Sequence, residues 1–232
     1  MFTRADVEKL ATVHVVQPAV LSLYLTVPPD PAELSGLLVR AGELMAAAGT
    51  DSQRVRDEDE NWVLRTLATR GRGWLGRSVA ILACTDAGLL EVLPLPSLVP
   101  ERAVLGTRPH IRPLLGALQR CPAHRVVDRI LAMVPSGLAA VGLPACLAAV
   151  NADAVETLVV PDEGLVPGYE CGRCGALSTR SDSCPDWGAA PLPVPDVIEE
   201  MVTRTLEDGG QISVIGGGPP QIAAKLRFPL VQ

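Results

Sequence analysis

Several signatures that would announce a familiar enzyme are missing from these 232 residues. No Gly-x-Ser-x-Gly elbow, no His-Glu-x-x-His helix and no Gly-x-Gly-x-x-Gly turn occurs in a fitting context. Their absence excludes the standard hydrolase, metalloprotease and dinucleotide-binding patterns. The run "GGGPP", Gly216 to Pro220, lacks the Gly-Lys-Ser/Thr of a phosphate-binding loop and reads as a plain turn. Histidine is scarce: His14, His110 and His124 all lie far in sequence from the clustered cysteines. The opening stretch has acids at Asp6 and Glu8 and no continuous apolar run behind a basic one. No secretory leader is expected, and the expected location is the cytoplasm. One stretch, Ile130 to Val150, has no charge over 21 residues. Pro135, Ser136, Gly137, Gly142 and Pro144 interrupt it and no aromatic belt flanks it. Two short buried helices around a Pro/Gly turn are expected there, not a membrane span.

What is present is apolar material in quantity. Hydrophobic residues make up 48% and charged residues 20% of the chain, enough for a core and inconsistent with global disorder. The length allows two domains, and the order of the elements makes them two small α/β domains, 1–127 and 128–232, with an insertion at 165–194 in the second. Charge divides unevenly between them. The first carries 14 basic and 13 acidic residues, the second 6 and 13. Between Trp62 and Arg129 stand ten arginines against four acids. They form a candidate phosphate-contacting surface, with Arg65, Arg70, Arg72 and Arg77 foremost; the alternative is arginines dispersed over a solvated surface.

Local patterns give the element order. "AVLSLYLTV" (Ala19 to Val27) is β-branched and aromatic and stops at Pro28, which marks a strand. Asp30 as a cap, Pro31 at the first helical position and Gly49 as a stop frame a helix. A second helix is expected across "DSQRVRDEDENWVLRTLATRG", ending at Gly71. Two apolar runs around Asp86-Ala87-Gly88 signal a hairpin. The Pro-rich stretch "PLPSLVPERAVLGTRPHIRPLL" reads as an irregular connection into a short helix near Leu114 to Arg120. In the second half, "AVETLVVPD" is a buried strand, Pro195 opens a helix that stops at Gly209, and "QISVIGG" and "QIAAKLRFPL" are strands.

Cys84, Cys121 and Cys146 stand singly among apolar neighbours, as reduced buried thiols do. The other three cysteines cluster in "CGRCGALSTRSDSCPDWG". Cys171 and Cys174 form the Cys-x-x-Cys pair that offers zinc two thiolates on one tight turn. Cys184 begins a second half in which Trp187 occupies the place of a fourth cysteine, and tryptophan cannot coordinate. Asp186, Asp182, Glu170 or a water are the substitutes. Three states stay open: a structural zinc on Cys171, Cys174 and Cys184 with Asp186 as candidate fourth ligand, a relic knuckle with free thiols, or a Cys171–Cys174 disulfide.

The second half, through "CLAAVNADAVETLVV", "CGRCG", "SCPDWG", "VIEEMVTRTLEDGGQISVI" and "IAAKLRF", resembles the C-terminal domain of the class-1 peptide-chain release factors of eukaryotes and archaea and of Pelota. "AVLSLYLTVPPD" and "GRSVAILACTD" resemble the N-terminal domain of the same superfamily. The chain as a whole is similar to its bacterial branch, which includes ribosome-hibernation proteins of the Balon type. The resemblance implies a release-factor C-terminal-like α/β sandwich with a zinc-knuckle-like insertion. It also implies a ribosomal RNA partner and a translational GTPase partner. The departures limit what carries over. There is no room for the middle domain that bears the family's Gly-Gly-Gln, and Gly209-Gly210-Gln211 lies instead where a helix stop meets a strand. The stretch matching the decoding loop, "AGTDSQRVRDEDEN", has no Asn-Ile-Lys-Ser and is acidic. The expectation is a non-catalytic translation-associated protein with no small-molecule substrate and no membrane. The rivals are a small cysteine-pair redox or hydrolytic enzyme and a degraded paralogue without a ribosomal role.

Overall fold

The computed structural model describes residues 3–15, 19–48, 55–119, 124–216 and 222–230. Arg120, Cys121, most of "GGGPP" and the first residues of the second expected helix lie outside this set, as do the side chains of His124 and Arg125. The chain divides into two compact units, Met1–Leu118 and Gln119–Gln232, each a mixture of helices and sheet.

The first unit begins with α1 (Arg4–Ala11), a helix that no sequence pattern had marked. Its start is closed by Thr3, whose backbone N–H and hydroxyl both donate to Asp6 Oδ2, at 2.8 and 2.7 Å. The acid that argued against a leader is thus a helix cap. Strand β1 (Val20–Thr26) leads through a turn of 3-10 helix, where Asp30 accepts from the Ala32 N–H at 2.8 Å, into α2 (Leu34–Ala48). Helix α3 (Asp57–Arg70) follows, then the hairpin β2 (Ser78–Cys84) and β3 (Leu89–Pro94), turned at Gly88 with φ of +68°. Next come β4 (Arg102–Gly106) and α4 (Arg112–Leu118). The sheet order is β3-β2-β1-β4, antiparallel throughout. Leu21, Leu23 and Leu25 of β1, with Val79, Ile81 and Ala83 of β2, pack against Leu37, Ala41, Met45, Val63 and Leu67 of α2 and α3.

One expectation is corrected here. The Pro-rich connection contains β4, because its prolines flank "RAVLG" without interrupting it, and the strand sits at a sheet edge. The acidic run lies where the second helix is expected, and the described part of that helix runs from Asp57 to Arg70. Asp57 to Glu60 form the first turn of α3, where negative charge meets the positive end of the helix dipole. Asp59 is 2% exposed and its Oδ1 accepts from the Thr85 N–H at 2.7 Å, which ties α3 to the end of β2.

In the second unit, α5 (His124–Leu131) is followed by the short strand β5 (Ala139–Val141) and by α6 (Leu143–Asn151). The uncharged stretch therefore holds a strand as well as helix; Gly137 and Gly142, both at positive φ, release the chain into and out of it. Among the described residues no helix is long and apolar enough to cross a membrane. Strand β6 (Val155–Pro161) comes next, then the insertion with β7 (Gly168–Cys171), β8 (Leu177–Ser178) and β9 (Pro191–Val194). Helix α7 (Val197–Glu207), β10 (Gln211–Ile215) and β11 (Ala223–Leu226) complete the unit. The cap of α7 is Asp196, not Pro195: its side chain accepts from the Ile198 N–H at 3.2 Å. The main sheet runs β10-β6-β11-β5, with β10 parallel to β6 and β11 antiparallel to both β6 and β5. Val159, Ile215 and Ala223 meet Val127 and Ile130 of α5. Leu158, Val160 and Ala224 alternate with them and are buried too, as period-two patterning requires of a sheet covered on both faces.

Replacing Asp59 by Ala strands the Thr85 N–H without its acceptor and removes charge from the first turn. It should lower unfolding stability by about 1–3 kcal/mol in urea titration. A change below about 0.5 kcal/mol, the range of ordinary surface substitutions, would contradict that role.

Candidate metal centre

Two turns of the insertion repeat one geometry. In the first, the Gly175 N–H donates to Cys171 O at 2.8 Å and the Cys171 N–H to Ala176 O at 2.9 Å. In the second, the Gly188 N–H donates to Cys184 O at 2.7 Å and the Cys184 N–H to Ala189 O at 3.0 Å. Gly175 and Gly188 both take left-handed φ, +70° and +63°, so each turn ends on the residue best able to close it. "CGRCGA" and "CPDWGA" are therefore equivalent knuckles, and Trp187 stands where Cys174 stands in its partner turn.

The knuckles bring Cys171, Cys174 and Cys184 together, with their sulfurs all within 4.8 Å of one another. Cys174 Sγ and Cys184 Sγ are 3.6 Å apart. A tetrahedral zinc with Zn–S bonds of about 2.3 Å has sulfurs about 3.8 Å apart, so the spacing fits. The backbone does too. N–H groups of Cys174 and Arg173 donate to Cys171 and bring its thiol down to about 7, helped by the neighbouring thiols. Cys174 receives the Ala176 N–H, which lowers it, but burial and the adjacent Cys171 and Cys184 raise it overall. Amide donors aimed at sulfur favour thiolates, the form a metal ion takes. These three cysteines could hold a metal ion. Cys84 and Cys146 are buried apart from them, and burial pushes Cys146 up to about 12, the behaviour of an inert core thiol.

Asp186 and Asp182 line the same cleft of about 500 Å3 as the thiols. Both are exposed, Asp182 pairs with Arg180 at 2.8 Å, and neither belongs to the close-set ligand group. Trp187 does not line that cleft. It is 51% exposed, with the Arg173 guanidinium carbon 4.0 Å from its ring centroid. The two knuckle tips thus meet in a cation–π pair at the surface.

The insertion is held by residues that no motif marks. Asn151, the last residue of α6, donates to Leu177 O at 2.9 Å and accepts from the Leu177 N–H at 2.8 Å. Arg204 of α7 donates to Gly175 O at 2.9 Å while pairing with Asp153 at 3.1 Å. Asp196 accepts from the Val166 N–H at 3.2 Å as well as capping α7. Gly168 is required by its close neighbours: a Cβ there would lie 2.6 Å from Val197 Cβ and 2.8 Å from Ser178 O.

Gly209-Gly210-Gln211 has a full structural account. Gly209, at φ of +72°, ends α7, and a Cβ on Gly210 would lie 2.6 Å from Thr205 Cγ2 and 2.8 Å from Thr205 O. Gln211 is the exposed first residue of β10. The arginines divide. Arg65 and Arg70 lie on α3, Arg72 in the 3-10 turn after it and Arg77 just before β2, all exposed and without an ion pair among the described residues. Arg112 is fully buried and Arg108 donates to Ala11 O at 3.4 Å, so the arginines of this stretch are not all offered to solvent.

No protein-family model matches the chain, and no curated protein matches it. Among solved structures, the C-terminal domain of a peptide chain release factor from Methanosarcina mazei is similar at 18% identity. It covers 45% of this chain and 81% of that one, at a TM-score of 0.31. A likeness of that extent fixes neither family nor activity.

Two substitutions, with Gln211→Ala as a control, test how the insertion and α7 are anchored. Asn151→Ala should leave the fold intact yet hasten tryptic cleavage at Arg173 or Arg180; unchanged cleavage would contradict the anchoring role. Gly210→Ala should cost about 1–3 kcal/mol by overpacking against Thr205, and Gln211→Ala under about 0.5 kcal/mol, both read by thermal unfolding.

Proposed function

We propose that the chain is a non-catalytic translation-associated protein that binds the ribosome or a translation factor, a relative of release, rescue and hibernation factors of the Pelota superfamily. The observation that carries this reading is the assembly of the second unit. The segments through which the sequence resembles the release-factor C-terminal domain come together in one sheet: β6 at its centre, β11 beside it and β10 on the other side. The knuckle leaves from the end of β6 and returns at α7, where that resemblance puts a small insertion. Zinc is the ion we assign to the knuckle, in a structural role on Cys171, Cys174 and Cys184.

In this reading the first unit meets ribosomal RNA through Arg65, Arg70, Arg72 and Arg77, which are free to exchange counterions for phosphates. The acidic second unit, at 8 basic and 13 acidic residues over 119–232, is suited to a protein partner such as a translational GTPase. Gly209-Gly210-Gln211 takes no part in chemistry.

Sedimentation through sucrose gradients should place the protein with ribosomal particles in growing or starved cells. Changing the four arginines to Ala should weaken binding to isolated ribosomes and flatten its salt dependence by roughly one unit of slope for each phosphate that is no longer engaged. Protein confined to the soluble top fractions in both growth states would refute the proposal. Peptide release from stalled ribosomes that disappears in Gln211→Ala would refute its non-catalytic part.

A further inference from the structure

The two knuckles are equivalent in backbone and unequal in donors. At the position equivalent to Cys174, the second turn directs an indole outward against Arg173, away from the cleft where the three sulfurs face one another. A fourth protein sulfur is therefore missing from the one place where the turn geometry would supply it. No carboxylate replaces it: among the described residues the close-set ligand group contains three thiols and no acid. Asp182 is engaged with Arg180, and Asp186, though beside the cleft, is exposed and outside that group. The sulfurs line a cleft of about 500 Å3, whose wall also includes Tyr169, Asn151 and Arg204.

Closed structural zinc sites use four protein ligands, whereas sites with three keep a position for water or an incoming group. We infer that the knuckle holds a thiophilic divalent ion by three thiolates and leaves its fourth position, on the cleft side, to an exchangeable nitrogen or sulfur donor from outside the chain, with water in the resting state. This rests on reading the knuckle as a zinc site and goes further: the ion is an exposed acceptor for a ligand, and Trp187 is the residue that keeps it open. Binding at such a position forms one metal–ligand bond and releases one water, with no change of oxidation state. The Arg173–Trp187 pair, on the outer side of the knuckle, keeps the indole from folding back over the thiols.

Cobalt substitution makes the fourth position visible, because d–d bands respond to ligand identity and thiolate charge-transfer bands count sulfur donors. Reduced wild-type protein should take up one Co2+ per chain with charge-transfer bands weaker than those of a four-thiolate site. Adding imidazole should shift its visible bands. Asp186→Ala and Asp182→Ala should give the wild-type spectrum and the same imidazole response. Trp187→Cys should strengthen the charge-transfer bands, abolish the imidazole response and tighten Co2+ by about tenfold or more, the scale of effect that ligand-sphere changes produce. One bound Co2+ whose spectrum ignores imidazole would overturn the open-position inference while leaving a metal on the knuckle. So would a spectrum altered by loss of Asp186. Failure of the wild-type chain to bind Co2+ would overturn both the inference and the zinc reading, without bearing on ribosome association.

Discussion

The position of the knuckle depends on one pair of hydrogen bonds. Asn151 uses its amide as a peptide unit would be used in a sheet, giving to Leu177 O and taking from the Leu177 N–H. Strand β8 is two residues long, too short to hold itself in place by pairing with β7 alone. Tied to the end of α6, it is fixed to the sheet that α6 covers. Arg204 makes a second tie through Gly175 O, at the closing residue of the first cysteine turn. The sulfurs are thus oriented by the helices beneath them, and the thiol cluster forms on a base that the fold supplies.

That base is a β-α-β unit with an excursion. Strands β6 and β10 are parallel neighbours, so a crossover must join them, and α7 provides it. The chain has to leave the end of β6 and come back to the start of α7; the insertion occupies this connection. Asp196 works at the return point for two partners, the first turn of α7 and the Val166 N–H. Gly168 lets β7 lie against Val197 at a distance no side chain would allow. The result is a small sheet pressed on a helix, with the two knuckle tips facing outward and Trp187 under Arg173.

Much of this was legible in the residues. The β1 strand, the Asp30-Pro31 helix start, the hairpin at Gly88 and strands β6, β10 and β11 follow from alternation, caps and turn chemistry, all local effects. What was not legible depended on partners distant in sequence. Strand β4 looked irregular amid its prolines, and only pairing with β1 reveals it. Strand β5 is three residues long and is defined by β11. The acidic run reads as part of a helix, but nothing local shows that Asp59 would be buried on Thr85. At the candidate site, the spacing of cysteines indicated the cluster, and Trp187 was visible as the missing ligand. Its outward turn onto Arg173 was not, although the match of "CGRCGA" to "CPDWGA" carried the clue. Asn151 and Arg204 gave no signal at all, since an amide and a guanidinium on ordinary helices have many uses.

If the knuckle presents three sulfurs, held from below, to one ion with a position to spare, the ion's own coordination shell will record it. X-ray absorption at the zinc edge of the protein purified under reducing conditions reads that shell most directly. Three sulfur scatterers at about 2.3 Å and one lighter oxygen or nitrogen scatterer are predicted. Four sulfurs, or a protein that carries no zinc, would contradict the three-thiolate centre.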